Sequence, residues 1–142
     1  MRIFIGALAV AVLAGCSSNA ITIKQTTPAS ADEVYAYQAK PSGPSGRVTV
    51  MREGGVYGAA CDVVVYVNDK RAAKLGISER ATFHLPVGKA TVGVGLTDSG
   101  LCGGAEVRTI PADVPLNGEK LYRISSDING WLITPYVEHS SE

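Results

Sequence analysis

The sequence predicts an all-β fold, in the form of a single β-sandwich of seven to eight strands. Short apolar runs rich in Val, Thr and Ile recur about every ten residues from residue 47 onward, which is the spacing of strands in a sandwich. Turn-forming residues, including many of the 16 glycines and 7 prolines, separate these runs. No segment beyond residue 46 repeats its apolar residues with the period of an amphipathic helix.

The first half of the predicted domain contains four strands, at residues 48–51, 62–67, 71–75 and 81–85. Residues 62–67 are apolar on both faces, which predicts a strand in the centre of a sheet. Asn68-Asp69-Lys70 supplies the turn that follows it. The run at 81–85 alternates, and this alternation directs Phe83 towards the core and His84 towards solvent.

The second half contains four more predicted strands, at residues 90–96, 106–110, 121–125 and 131–137. Gly93 and Gly95 share one face of the first of these, which indicates a close neighbour or a bulge there. Pro86-Val87-Gly88-Lys89 and Asn117-Gly118 are turn signals, expected to reverse the chain between neighbouring strands. Pro135 places the final strand at a sheet edge or near its own end.

The N-terminal residues combine a positive charge, a short apolar run and a cysteine. Arg2 precedes the apolar run Ile3–Leu13, which is too short for a permanent span of about 20 residues and fits a secretory signal. Leu13-Ala14-Gly15-Cys16 resembles the lipobox of bacterial lipoproteins. The resemblance implies cleavage before Cys16 and acyl chains on Cys16 that anchor the chain to a membrane. In that family Asp at the next position favours the inner membrane, so Ser17 indicates the outer membrane. An ordinary signal peptide with a chance cysteine is the alternative.

Two further cysteines, Cys61 and Cys102, remain once Cys16 carries lipid. Two cysteines in one small exported domain are expected to pair, because the periplasm is oxidising. They stand 41 residues apart, and closing a loop of that length contributes about 4 kcal/mol in the chain-entropy model. The alternative is a catalytic or metal-binding thiol that uses His84 or His139, but a zinc site ordinarily needs four ligands at tight spacing. The sequence therefore predicts a disulfide, no metal site and no cofactor.

The chain divides into four predicted segments. They are a signal peptide at 1–15, a lipidated N-terminus and tether at 16–46, the β-sandwich domain at 47–138 and a polar tail at 139–142. Residues 40–46 have the Pro, Gly and Ser content of a linker. Within the tether, Ser30–Tyr37 has the pattern of either a short capped helix or a short strand, and Ile21–Ile23 that of a short edge strand.

The middle of the domain has a second family resemblance. Val65-Tyr66-Val67-Asn68-Asp69-Lys70 precedes a short return strand, and Leu85-Pro86-Val87-Gly88 then leads into the alternating run Ala90–Val94. This pattern resembles small bacterial lipoprotein domains of unknown function and PEGA-type surface modules. The resemblance implies a sandwich of the prealbumin-like or immunoglobulin-like kind and no known reaction. Lys89-Ala90 departs from the aromatic residue or histidine that usually follows the glycine.

The charge content excludes one class of partner. The chain has 13 basic and 13 acidic residues, and charged residues make up 18% of it. A nucleic-acid partner held through its phosphates requires a basic surface, so none is predicted.

Two loops are the predicted recognition surface. The first loop, at 53–58, contains Tyr57, the aromatic residue that we most expect to be exposed. The second is the Gly-rich loop that contains Leu101 and Cys102. A bond between Cys61 and Cys102 holds the two loops together at one end of a rigid scaffold, where binding residues commonly lie. Two plain surface loops are the alternative.

Three classes of function follow from these observations. The first is a membrane-anchored, non-enzymatic binding or structural module of the bacterial cell envelope, with a possible envelope protein as partner. The second is a periplasmic inhibitor or accessory subunit that inserts a preorganised loop into another protein. An enzyme comes third and is not predicted, because it requires His84 to lie beside a thiol or carboxylate in a pocket.

Overall fold

The computed structural model describes residues 21–54, 61–96, 106–127 and 129–137. These residues form nine strands: β1 (Thr27–Pro28), β2 (Ser45–Arg52), β3 (Val63–Val67), β4 (Lys70–Leu75), β5 (Glu79–Pro86), β6 (Gly88–Leu96), β7 (Arg108–Val114), β8 (Glu119–Asp127) and β9 (Gly130–Pro135). Two 3-10 helices, Ile23–Gln25 and Ala31–Glu33, precede β2. The predicted all-β sandwich is confirmed, with one short strand more than the seven to eight expected.

The strands form two sheets that pack face to face. The first sheet has the order β1-β5-β2-β8-β9, and the second has the order β4-β3-β6-β7. The predicted central position of residues 62–67 is confirmed, since β3 has β4 on one side and β6 on the other. The predicted edge position of Pro135 is also confirmed, since β9 is the last strand of the first sheet.

The core lies between the sheets and consists of side chains from alternate strand positions. The core includes four side chains with 0% of their surface exposed: Val48 and Val50 of β2, Phe83 of β5 and Val65 of β3. Burying one such side chain contributes about 1.5–3 kcal/mol. The inward direction predicted for Phe83 is therefore confirmed, and the same alternation carries His84 away from the core.

The turn at Pro86–Gly88 joins strands of different sheets. The sequence predicts a simple reversal here, but β5 pairs with β2, whereas β6 pairs with β3 and β7. The turn at Asn117, where the backbone has a positive φ of 54°, likewise leads from β7 in the second sheet to β8 in the first. Local turn chemistry predicts where the chain bends, but the hydrogen-bond partners on either side decide which sheet it joins.

Strand β7 extends beyond its predicted range. The sequence predicts this strand at 106–110. In the structure β7 runs from Arg108 to Val114 and passes through Pro111, which lies opposite Thr91. Because β7 is the edge strand of its sheet, a missing N–H is tolerated there.

The predicted tether at 16–46 packs against the sandwich over part of its length. Thr27 and Pro28 pair with the start of β5, and the Tyr35 N–H donates a 2.8 Å hydrogen bond to Ala72 O. Ala36 is buried in the core cluster. Residues 26–38 are therefore part of the domain, and β2 begins at Ser45, inside the predicted linker.

The sandwich has two ends, which we name from β2. The far end is where β2 begins at Ser45 and β6 begins at Gly88. The loop end is where β2 ends at Arg52 and β6 ends at Leu96. Both loops of the predicted recognition surface leave the sandwich at the loop end.

Candidate functional site at the loop end

The chain segments that flank the two predicted recognition loops lie together. Val63, two residues after Cys61, pairs with Leu96 on one side and with Leu75 on the other. Cys61 takes part in a disulfide bond, but its partner lies outside the described residues. The predicted pairing with Cys102 therefore stays a prediction. Cys16, Tyr57 and Leu101 also lie outside the described residues.

A buried arginine joins the two sheets at this end. Arg52 continues the inward face of Val48 and Val50, and its side chain is among the largest that are fully buried. Its Nη1 donates a 3.0 Å hydrogen bond to Leu75 O across the interior. The guanidinium carbon lies 4.9 Å from the ring centroid of Trp131, a distance at which a cation is attracted to an aromatic face.

The charge of Arg52 is balanced from the same end. Burial lowers the pKa of its guanidinium, while the nearby carboxylates of Asp62 and Glu79 oppose that effect. Glu79 also accepts a 2.6 Å hydrogen bond from the Gly76 N–H, which closes the turn between β4 and β5. Hydrogen bonds and charge thus hold the ends of β2 and β4 and the start of β5 in one arrangement.

A second buried charge lies beside the first. The side chain of Glu53 is 4% exposed, and its Oε1 lies 3.2 Å from Arg123 Nη1 of β8. The contact is an ion pair without a well-aligned hydrogen bond to that oxygen. Burial raises the pKa of Glu53 above its ordinary value of 4.5, and the charge of Arg123 opposes this effect only in part.

This raised pKa gives a pH-dependent stability. Between the unfolded and folded pKa values of Glu53 the folded state binds more protons, so the free energy of unfolding falls as pH rises from about 4.5 upward. Each pH unit between the two pKa values corresponds to about 1.4 kcal/mol. We expect the stability of the unmodified protein, measured relative to Glu53→Gln, to decrease between pH 4 and pH 7.

The measurement is urea unfolding of both proteins across that pH range. In the difference between their free energies of unfolding, the contributions of the titrating groups that both proteins share cancel. Glu119→Gln is the matched control, since Glu119 forms an exposed pair with Arg47 at 3.6 Å. A difference that instead grows as pH rises would mean that the Arg123 charge outweighs desolvation.

A cleft of about 250 Å³ opens next to the buried arginine. Its walls are a tryptophan, two charged side chains, an asparagine and two glycines: Trp131, Glu106, Arg108, Asn129, Gly95 and Gly130. Arg108 Nη2 donates a 3.3 Å hydrogen bond to Asn129 O, which ties β7 to the turn before β9. The cleft combines an aromatic surface with one acidic and one basic group, which suits a polar ligand of mixed charge.

His84 lies at the other end of the molecule. His84 of β5 pairs with Arg47 of β2. Arg47 comes five residues before Arg52, so the two positions lie about 16 Å apart along β2. The cleft beside His84 has a volume of about 170 Å³. It is lined by two basic side chains, the imidazole, a hydroxyl, an amide and a glycine: Lys40, Arg47, His84, Ser45, Asn117 and Gly46. No thiol or carboxylate lines that cleft among the residues described, so the structure does not bring His84 to the loop end.

Sequence reasoning did not find the buried charges that surround Trp131. Arg52 follows Val48 and Val50 at alternate positions, so the inward direction of its side chain was readable from the pattern. The hydrogen-bond acceptor of Arg52 could not be predicted from the pattern, because Leu75 O is a backbone atom of the other sheet. Glu53 and Arg123 meet only because β2 and β8 pair in parallel.

Two features are absent from the part of the chain that the structure describes. No helix there is long and apolar enough to cross a membrane. No group of three or more His, Cys, Asp or Glu side chains there is arranged to hold a metal ion.

Comparisons with protein-family models, with curated proteins and with solved structures give no match to this chain.

Proposed function

We propose that this chain is a lipid-anchored protein of the bacterial cell envelope whose β-sandwich is a non-enzymatic binding or structural module. The anchor is the acylated Cys16 of the lipobox-like string, and the outer membrane is its site. The observation that carries the proposal is the disulfide at Cys61. Disulfides persist in oxidising compartments such as the periplasm, the destination that the N-terminal motif also indicates.

The arrangement of the loop end supports a role in binding. Arg52 and the Glu53–Arg123 pair hold the strand ends from which the two loops leave, and a Cys61–Cys102 disulfide would tie the two loops to each other. A surface ordered before binding loses less conformational entropy when it meets a partner. This observation favours a second candidate within the proposal, an accessory subunit or inhibitor of an envelope protein complex.

The test is a non-reducing mass determination of peptides from the protein isolated from bacterial envelopes. We expect the peptide that begins at Cys16 to carry acyl mass, and the peptides that contain Cys61 and Cys102 to travel as one linked species. A second envelope protein that co-purifies in equal amount would indicate the accessory-subunit role.

Cys16→Ala is the matched control, because it removes the acylated thiol and leaves residues 21–137 unchanged. This variant is expected to leave the membrane fraction. The proposal is wrong if the native chain carries no acyl mass, or if Cys61 is a free thiol in the isolated protein.

A further inference from the structure

The chain joins the sandwich at the loop end. The Thr27 N–H donates a 2.9 Å hydrogen bond to Ser78 O, and Thr27 pairs with Glu79 at the start of β5. Arg80 Nη1 donates a 3.1 Å hydrogen bond to the buried Thr26 hydroxyl. Arg80 lies opposite Met51, one residue before the end of β2. Thr26 and Thr27 are therefore fixed at the same end as Arg52.

The direction of β1 determines where the preceding residues lie. β1 runs parallel to β5, which goes from Glu79 at the loop end to Pro86 at the far end. The chain consequently enters β1 at the loop end.

The segment between Cys16 and this fixed point is short. Thr26 is ten residue steps after Cys16 in the chain. Fully extended, these steps reach at most about 35 Å, and as a flexible chain they average about 17 Å end to end. The 3-10 turn at Ile23–Gln25 shortens this reach further. The eight residues of β2 span about 25 Å from the far end to the loop end.

From this geometry we propose that the loop end faces the lipid surface that holds the Cys16 acyl chains, and that the far end points away from it. The proposal rests on the lipid anchor of the proposed function and adds an orientation to it. Turning the far end to the bilayer stretches the tether well beyond its average length, which costs entropy.

The orientation places the two ends of the sandwich in different surroundings, so a protein partner of the loop end would be one that lies at the membrane surface. Ile77, 44% exposed in the turn between β4 and β5, and Trp131 lie on the side of the lipid headgroups. The cleft lined by Lys40, Arg47 and His84 lies on the opposite side, where it is open to the envelope compartment.

The single tryptophan of the chain is a native reporter of this orientation. The lipidated full chain is reconstituted in phosphatidylethanolamine–phosphatidylglycerol vesicles that contain dansyl-headgroup lipid, and energy transfer from Trp131 is measured. A second protein carries Trp131→Phe and Leu116→Trp, which moves the reporter to the exposed far-end turn. We expect transfer from Trp131 to exceed transfer from the far-end reporter severalfold. Equal or lower transfer from Trp131 overturns the orientation.

A second variant tests the orientation without any substitution in the domain, in case the doubly substituted protein misfolds. Twenty Gly and Ser residues inserted after Ser18 raise the average tether length to about 30 Å. Transfer from Trp131 is then expected to fall at least twofold, and unchanged transfer overturns the proposal. Vesicle flotation is measured on every sample. A native chain that does not float contradicts the anchor and both proposals, whereas a chain that floats without the expected difference contradicts the orientation alone.

Discussion

Replacing Arg52 with alanine is expected to lower the free energy of unfolding by about 2–5 kcal/mol, because it leaves a cavity in the core and a buried carbonyl without its donor. The side chain is fully buried, bonds to Leu75 O at 3.0 Å and stacks on Trp131 at 4.9 Å. Its loss leaves a buried carbonyl without this donor and removes the packing beneath the indole. Urea unfolding followed by Trp131 fluorescence and by circular dichroism measures the change.

Arg47→Ala is the matched control for that experiment. Arg47 lies in the same strand, but its side chain is 45% exposed and its pair with Glu119 is a surface contact at 3.6 Å. Its removal is expected to cost less than about 1 kcal/mol. If Arg52→Ala costs no more than this control, Arg52 does not join the two sheets energetically.

Replacing Gly46 with alanine is expected to cost about 3 kcal/mol, at the upper end of the range for overpacking. A Cβ on Gly46 would lie only 1.9 Å from Pro115 O, which is a backbone atom. No side-chain rotation relieves that overlap, so β2 or the turn before β8 has to move. Thermal and urea unfolding measure the loss.

Gly54→Ala is the matched control at the other end of the same chain segment. The nearest atoms to a Cβ at Gly54 are Ser78 Oγ at 3.6 Å and Ile77 Cγ2 at 3.7 Å, which are ordinary contact distances. Its effect is expected to stay within about 0.5 kcal/mol. A similarly small loss for Gly46→Ala would show that the 115–118 turn yields easily.

Much of the fold was predictable because strands and turns leave local patterns. The apolar run at 62–67 and the inward Phe83 follow from side-chain alternation. The close neighbour at Gly93 was also predictable, and the structure confirms it: a Cβ there would lie 2.8 Å from Thr109 Oγ1. Pro135 at a sheet edge follows from its missing N–H.

The candidate site was less predictable because its parts are distant in sequence. Cys61 was singled out from the sequence, but the stack of Trp131 on Arg52 joins strands almost 80 residues apart. The Glu53–Arg123 pair depends on a parallel pairing that alternation does not specify.

The sequence by itself determined the class of the fold, the positions of most strands and turns, and the expectation of a lipid anchor at Cys16. These rest on short-range chemistry: the period of a strand, the backbone preferences of turn residues and a four-residue motif. Only the tertiary structure decided that the turn at Pro86–Gly88 changes sheets and that residues 26–38 pack on the domain. It also decided that Arg52 crosses the interior. Each of these depends on hydrogen bonds and burial between residues far apart in the chain, which no local pattern encodes.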